Sequence, residues 1–497
     1  MNLANVIESH ASDQVALISR GRTTTYGELS EQVARLRGGL LRLGLEPGER
    51  VAIVAANNWY AVVSYLAVIG SGLVAVPLNP QSPAAELQWE LESVGAAAVV
   101  LGPTGQGTFE EDDLRGVGSI RYVVRTGSSE DGLDLDELMS GQPAPVVDVP
   151  PDTLAVLIFT SGTAGSPKAA MLTHANLFSN IQQALAAQPD RQGADDVVFG
   201  LLPLFHIFGL NVVLGLSLAT GSSVLLVERF DPSSALEAIE RHGVTVIAGP
   251  PTMWAAFAGM PGVSEESFAS VRTAVSGAAK LPVEVAQAME ARFGVHLDEG
   301  YGLTEASPVV TASSGTGAPF GSVGVPVPGL ELRIVDDAGA DVLIGDVGNL
   351  VVRGPNVFAG YWEDTEATDR VIVDGWLHTG DMAVVDDAGF VYIVDRAKDL
   401  VIVSGFNVYP AEVEDVLLHH PAVAGCAVVG VPHPYTGETI RAYVQVRPGF
   451  SVEEEELVGF CADRLARYKC PNKIWFVDEV PHSVTGKVLR RHLRDQT

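Results

Sequence analysis

Thr25-Tyr-Gly-Glu28 is a capping box, and behind it Leu29, Val33, Leu36 and Leu40 recur at helical spacing. Gly44, Pro47 and Gly48 stop that helix before an apolar strand at Val51-Ala-Ile-Val54. A helix and a second strand, Leu73-Val-Ala-Val76, follow and end at Pro77 and Pro80. The alternation continues with a helix over 85–94 and strands over 96–101 and 120–124. Polar, Gly/Pro-bearing connections fill 103–118 and 126–150. Strand–helix alternation of this kind predicts a largely parallel sheet covered on both faces.

A second α/β region runs over about 152–320, with strands predicted at 154–159, 197–202, 223–226, 244–249 and 271–276. From 321 to 394 short Val/Ile strands (330–335, 348–352, 382–385, 391–393) alternate with turns such as Asp336-Asp337 and Asp386-Asp387, a β-rich texture. After Arg396 the pattern is a helix from Pro410 through Leu418, strands at 425–431 and 440–446, a helix over 452–468 and a strand at 474–477. The expected fold class is α/β. A large N-terminal domain (1–394) comprises two α/β subdomains, about 1–151 and 152–320, and the β-rich module 321–394. A hinge at 395–398 then leads to a small mobile α+β domain at 399–497.

Two stretches, 51–85 and 197–227, lack charged side chains when His206 is counted neutral. Pro, Gly, Asn and Ser interrupt both, so they read as buried core and not as membrane spans. The chain has 497 residues, about three domain-sized units, and its 47% apolar and 19% charged content is that of a core-forming protein. Lys and Arg number 31 against 61 Asp and Glu, a net charge of −30. That field repels a nucleic-acid backbone and offers no polybasic membrane tether, yet it permits a locally positive site for an anion. Cys426, Cys461 and Cys470 are too few and too irregularly spaced for a disulfide framework or a zinc site, and the first residues show no basic-then-apolar signal pattern. A reduced, cytoplasmic setting is the expectation.

The strongest chemical signal spans 157–168. An apolar strand runs through Thr160, Ser161, Gly162, Thr163, Ala164 and Gly165 to Lys168. The glycines allow close backbone approach, the hydroxyls donate, and Lys168 brings a cation, a set suited to nucleotide phosphates. The spacing is not that of the Walker loop, and taken alone the segment also suits a solvated turn.

This segment resembles the phosphate loop of the adenylate-forming family, which contains acyl-CoA synthetases, luciferases and peptide-synthetase adenylation domains. The family's other motifs follow in order over about 20–495. Leu202-Pro-Leu-Phe-His206-Ile-Phe208-Gly209 resembles the motif flanking the acyl pocket, which places His206 near the reacting carboxylate. By that resemblance Phe208, Gly209, Val212, Gly277, Gly300 and Leu303 also line the pocket. Ser276-Gly277-Ala278-Ala-Lys280 resembles the loop between acyl tunnel and adenine. Glu299-Gly300-Tyr301-Gly302-Leu303-Thr304-Glu305 resembles the adenine motif, with Tyr301 stacking on the base, Thr304 on the α-phosphate, and Glu305 with Thr163 on Mg²⁺. Trp376-Leu-His-Thr-Gly-Asp381 implies ribose binding by Asp381, with Ile393 and Arg396 nearby. Lys398 falls at the hinge, Ser404, Gly405 and Phe406 on the CoA path, and Lys487, after Gly486, at the catalytic lysine. On residues alone, His206 reads more readily as core, Asp381 as turn chemistry and Lys487 as a surface lysine.

The resemblance implies ATP, Mg²⁺ and CoA as co-reactants of a small carboxylic acid, no nucleic-acid partner and no integral membrane association. The expected reaction is acyl-AMP formation with release of pyrophosphate, then transfer to CoA. Phe208, Leu210, Val212, Val213, Gly277, Ala278 and Leu303 are apolar or small and favour a medium- or long-chain fatty acid. An aryl acid, malonate, or acyl-adenylate binding without catalysis are the alternatives. Glu299 and Lys280 depart from the commoner family residues Gln and Pro and bear on the substrate pocket.

Overall fold

The computed structural model describes all residues except 108–113, 115, 128–131, 161–166, 189–191, 405, 434–435, 484–487, 491–492 and 494–497, and omits the side chain of Lys398. The chain divides into two compact units, 1–331 with 353–377, and 332–352 with 378–497. The positions expected to form the hinge, 395–398, lie inside the second unit's span.

Two sheets build the first unit. One has seven strands in the order Leu133–Asp134, Tyr122–Arg125, Ala98–Leu101, Arg50–Val54, Val74–Leu78, Leu154–Thr160 and Lys168–Thr173. All neighbours are parallel except the last pair. The other has nine strands, with a parallel centre of Asp298–Gly302, Thr273–Ser276, Val246–Gly249, Val197–Gly200, Ser223–Leu226 and Val15–Ser19. The sheets exchange chain segments and so do not follow the sequence blocks 1–151 and 152–320. Leu154–Thr160 completes the first sheet beside Val74–Leu78, while Val15–Ser19 and Arg22–Thr25 close the edge of the second. Val74–Leu78 is buried along its whole length, as a central strand covered on both faces is.

Local rules account for the elements between strands. Thr25 and Glu28 form the expected reciprocal cap on helix Tyr26–Arg42, and Leu29, Val33, Leu36 and Leu40 are buried. The uncharged stretch after Val51 contains a 12-residue helix, Trp59–Gly70, capped by Asn58. Among the described residues no helix is long and apolar enough to cross a membrane.

The second unit holds a sheet in which Gly348–Arg353 lies between Glu331–Val335 and Trp376–Val385, and Val391–Arg396 pairs with Trp376–Val385. A further sheet carries the hairpin Val401–Val403/Phe406–Val408 and the long pair Val423–His433/Gly437–Val446, with Lys473–Val477 parallel to the latter. Val413, Leu417, Val428, Val444, Leu457 and Ile474 share its core. The helix expected over 452–468 is shorter, Glu454–Ala462, followed by a 3₁₀ turn at Arg467–Lys469. Tertiary contacts end it: Tyr468 stacks on Phe406 at 4.8 Å and Lys469 pairs with Glu412 at 2.6 Å.

One buried carboxyl in the first unit is costly. Glu90, on helix Ala84–Ser93, is 7% exposed, and its Oε2 has no hydrogen-bond partner among the described residues. Burial, with Glu86 adding repulsion, pushes its pKa up to about 8. The folded state therefore holds a proton that the unfolded chain loses near its ordinary pKa. Stability falls as pH rises from the ordinary carboxylate range through about 8. Glu90→Gln should raise Tm by about 2–4 °C at pH 8 and leave it unchanged at pH 4. Scanning calorimetry at the two pH values checks this; an equal shift at both would contradict it.

Candidate functional site

Backbone pairing brings the chemistry of the first unit together. Leu154–Thr160 and Lys168–Thr173 form an antiparallel hairpin in which Thr160 sits opposite Lys168. Ser161, Gly162, Thr163, Ala164 and Gly165 lie outside the described residues. On the far edge of Lys168–Thr173 the segment 359–362 docks through an isolated antiparallel bridge, Ala170 opposite Tyr361. Ala359 N–H donates to Met171 O at 3.0 Å, Met171 N–H to Gly360 O at 2.9 Å, and Trp362 N–H to Ala169 O at 2.8 Å. Gly360 has φ +122°, and a Cβ there would sit 2.7 Å from the Thr368 methyl, so only glycine fits.

That docked segment delivers Tyr361 and Asp364 to the two charges expected from the sequence. Lys168 Nζ forms an ion pair with Asp364 and lies 5.7 Å from the Tyr361 ring centroid. The Tyr361 hydroxyl donates to Glu305 Oε1 at 2.6 Å. Burial, then the Glu305 charge, raises the phenol well above its ordinary pKa, so it stays a donor. The Lys168 ammonium, with the Ala367 N–H, holds the Asp364 carboxyl below the usual carboxylate range. Phe358 N–H donates to Glu305 O at 2.9 Å, so one segment braces Glu305 by backbone and side chain.

The acyl-pocket positions also converge in part. A Cβ on Gly277 would meet the Phe208 ring at 3.0 Å and Gly300 O at 3.5 Å, so these three residues meet. Gly209 is closely packed: a Cβ there would lie 2.2 Å from Pro203 O. His206 Nδ1 accepts from Phe208 N–H at 3.2 Å and stands just before the π-helix Phe208–Gly215, which carries Val212. Asn57 fixes the preceding loop, donating to the carbonyls of Gly200, Leu201 and Leu202 and accepting from Leu204 N–H. Behind this loop is an apolar cavity of about 10 Å³, bordered by Tyr65, Pro77, Phe205 and Leu210.

Gly300, Tyr301 and Gly302 end strand Asp298–Gly302, half-buried Leu303 follows, and Thr304 opens the 3₁₀ turn Thr304–Ala306 that holds Glu305. Ala278 has φ +71°, a left-handed conformation that costs a non-glycine residue about 1 kcal/mol. Glu299 is directed into structure: its Oε1 accepts from Gly321 N–H at 3.0 Å. Burial raises its pKa, opposed by the Gly321 and Leu281 N–H donors and by Lys280. Lys280 itself is exposed.

In the second unit, Asp381 and Arg396 face each other on paired strands, Nε to Oδ1 3.3 Å, with Asp381 only 5% exposed. Ile393 lies on the same strand as Arg396, opposite Ala383. Lys398 falls in the 3₁₀ turn Ala397–Asp399. Ser404 has φ +52°, Phe406 is 56% exposed, and Gly405 and Lys487 lie outside the described residues. The described flanks of 484–487 are pinned by the His482–Val488 bridge and by Leu489 N–H to Pro481 O at 2.9 Å. Arg490 next to them is buried among three carboxylates, 2.6 Å from Glu414, 3.3 Å from Asp399 and 3.6 Å from Asp395.

Sequence reading missed Tyr361, Asp364, Asn57 and Arg490. Only Gly360-Tyr361, a glycine beside an aromatic residue, was a local signal for any of them.

Residues 3–362 match the AMP-binding enzyme domain, and 412–487 match the AMP-binding enzyme C-terminal domain. A long-chain-fatty-acid–CoA ligase of Bacillus subtilis (strain 168) is 34% identical, covering 97% of this chain and 92% of its own. A feruloyl-CoA synthase of an Amycolatopsis species is 37% identical over 95% of this chain and 94% of its own. The crystal structure of ATP-bound MatB from Rhodopseudomonas palustris superposes with a TM-score of 0.92 at 33% identity, covering 100% of this chain and 99% of its own.

The chain belongs to the AMP-binding enzyme family, the adenylate-forming enzymes that its motifs resemble. Within that family it is an enzyme of the acyl-CoA synthetase class.

Tyr361→Phe deletes one hydroxyl and leaves the Glu305 carboxylate without its donor. It should lower kcat/KM for ATP about tenfold to a hundredfold, the scale of a hydrogen bond to a charged group. Steady-state kinetics at saturating acid and CoA measure it, and an unchanged value removes Tyr361 from the site.

Proposed function

We propose that this enzyme activates a medium- or long-chain fatty acid with ATP, forming acyl-AMP and pyrophosphate, and then transfers the acyl group to CoA, releasing AMP. The observation that carries the reading is the reach of one side chain. Tyr361 contacts Glu305 through its hydroxyl and lies under Lys168 with its ring. A cation and a hard oxygen ligand so close together suit the phosphates of a nucleotide.

The first step joins two anions, a carboxylate and the α-phosphate. Lys168 binds the triphosphate tail, and Lys487 bridges the attacking oxygen and the α-phosphate as charge develops, the role its motif implies. Thr304 donates to the α-phosphate, Tyr301 stacks on adenine, and Asp381 takes the ribose hydroxyls. Mg²⁺ fits Glu305: Tyr361 fixes Oε1, and no hydrogen bond among the described residues takes Oε2. Among the described residues no group of three His, Cys, Asp or Glu forms a closed metal cage, so the ion would lean on phosphate oxygens, as Mg²⁺ commonly does. Bound there with Thr163, it would supply charge neutralisation. For the second step, the motifs assign Lys398 to a hinge that withdraws Lys487, and Ser404, Gly405 and Phe406 to the thiol path.

The apolar lining of Phe208, Val212, Gly277 and Leu303 supports an acyl chain, as does similarity to fatty-acid–CoA ligases. A second reading, an aryl acid, draws on the flat Phe208 ring against Gly277 and on the feruloyl-CoA synthase relative. Malonate draws no support from Lys280, which is exposed.

AMP release with C2 to C18 fatty acids, ferulate and malonate, each with and without CoA, tests the substrate. Turnover should be greatest with C8–C18 acids; preference for ferulate would replace the fatty-acid reading. ATP–pyrophosphate exchange with none of these acids would leave only adenylate binding. Lys487→Ala should cut exchange about a hundredfold or more while thioester formation from supplied acyl-AMP persists. Equal loss of both steps contradicts the role given to Lys487.

A further inference from the structure

We propose that Asp364 is the resting counter-ion of Lys168, displaced by the phosphates of the incoming nucleotide and restored when pyrophosphate leaves. The inference rests on the phosphate-binding reading of 157–168 and goes beyond it by giving a role to a residue outside every motif used for that reading.

The two oxygens of Asp364 do separate work. Oδ1 accepts from Ala367 N–H at 2.9 Å and caps helix Thr365–Val371, while Oδ2 faces Lys168. Losing Lys168 therefore does not release the carboxylate from its place. Its side chain is 33% exposed, so water can hydrate Oδ2 once the ammonium turns to phosphate. Lys168 is 20% exposed and keeps the Tyr361 ring as a neighbour, so it too is not stranded during the exchange. A fully buried pair would resist such a swap because each partner would become an uncompensated charge. A fully exposed pair would offer little competition. This pair lies between those limits. It neutralises Lys168 in the free enzyme, yet a triphosphate carrying several charges outcompetes one carboxylate.

Two consequences follow from the competition. Asp364 lowers affinity for every phosphate ligand that uses Lys168, and it assists pyrophosphate release by retaking the ammonium. It is a positioning residue that acts through Lys168 and does not touch the reacting atoms.

Asp364→Asn removes the charge and keeps a capable helix cap. Calorimetric titration of the full chain with ATP and with pyrophosphate should show Kd tightened about threefold to tenfold, with the gain shrinking at high salt. Pyrophosphate should also become a correspondingly stronger product inhibitor. In a Lys168→Met background the same substitution should change neither Kd. Asp364→Ser, a second uncharged cap, should behave as Asp364→Asn does. Weaker or unaltered ATP and pyrophosphate binding in both single variants overturns the counter-ion role while leaving the nucleotide reading standing. Failure of the wild-type chain to bind ATP overturns both.

Discussion

The site of the first unit depends on one edge-to-edge pairing. Strand Lys168–Thr173 is the last of its sheet, and the segment 359–362 takes its free edge by three backbone hydrogen bonds. An open edge would leave its N–H and C=O groups unpaired, so the addition is favourable in itself. Its functional product is the meeting of Lys168 with Asp364, 196 residues apart in the chain, and of Tyr361 with Glu305, 56 apart. Side-chain geometry here follows from main-chain register: a slip of one residue would turn Tyr361 to the other face. Gly360 secures that register, because its left-handed backbone and its contact with Thr368 exclude any Cβ.

Charge is managed locally against an acidic background. A chain of net charge −30 must bind ATP, itself a polyanion. The first unit answers with a cation kept neutral by Asp364 and a carboxylate held by a phenol. The second unit shows the opposite balance, one guanidinium among three carboxylates. Burial pushes the Asp395 and Glu414 pKa values up, opposed mainly by Arg490, whose own pKa those carboxylates raise. Arg490 joins strand Val391–Arg396, the turn Ala397–Asp399 and helix Pro410–Leu418 through these contacts. It lies three residues beyond Lys487. The turn that holds Lys398 and the segment following Lys487 are thus anchored to one buried ion.

Much of this was legible in the sequence where the cause is local. Thr25 and Glu28 announce their helix because both halves of a capping box lie within one turn. Most strands of the parallel sheets are continuous apolar runs, a signal that needs no partner to be read, but the polar, glycine-rich Asp298–Gly302 is not. The phosphate segment, the Tyr301–Glu305 run and Asp381 stood out in the sequence through their resemblance to family motifs, each of which spans a few consecutive positions. What was not legible depends on distant partners. Nothing near Asp364 distinguishes an ordinary helix cap from a counter-ion of Lys168. The helix expected to reach Tyr468 stops at Ala462 because Phe406 and Glu412 claim residues beyond it. The first two sequence blocks interleave because strand pairing is decided by which edges remain unburied.

Glycine and small residues at the pocket divide by the same logic. Gly209 and Gly277 both belong to the acyl-pocket motifs, yet their surroundings differ. At Gly209 the obstacle is the Pro203 carbonyl, which cannot move without reshaping a loop that Asn57 fixes. At Gly277 the nearest atoms belong to the Phe208 side chain, which can turn. Gly209 therefore maintains the loop that carries His206, whereas the volume beside Gly277 depends on a movable aromatic ring.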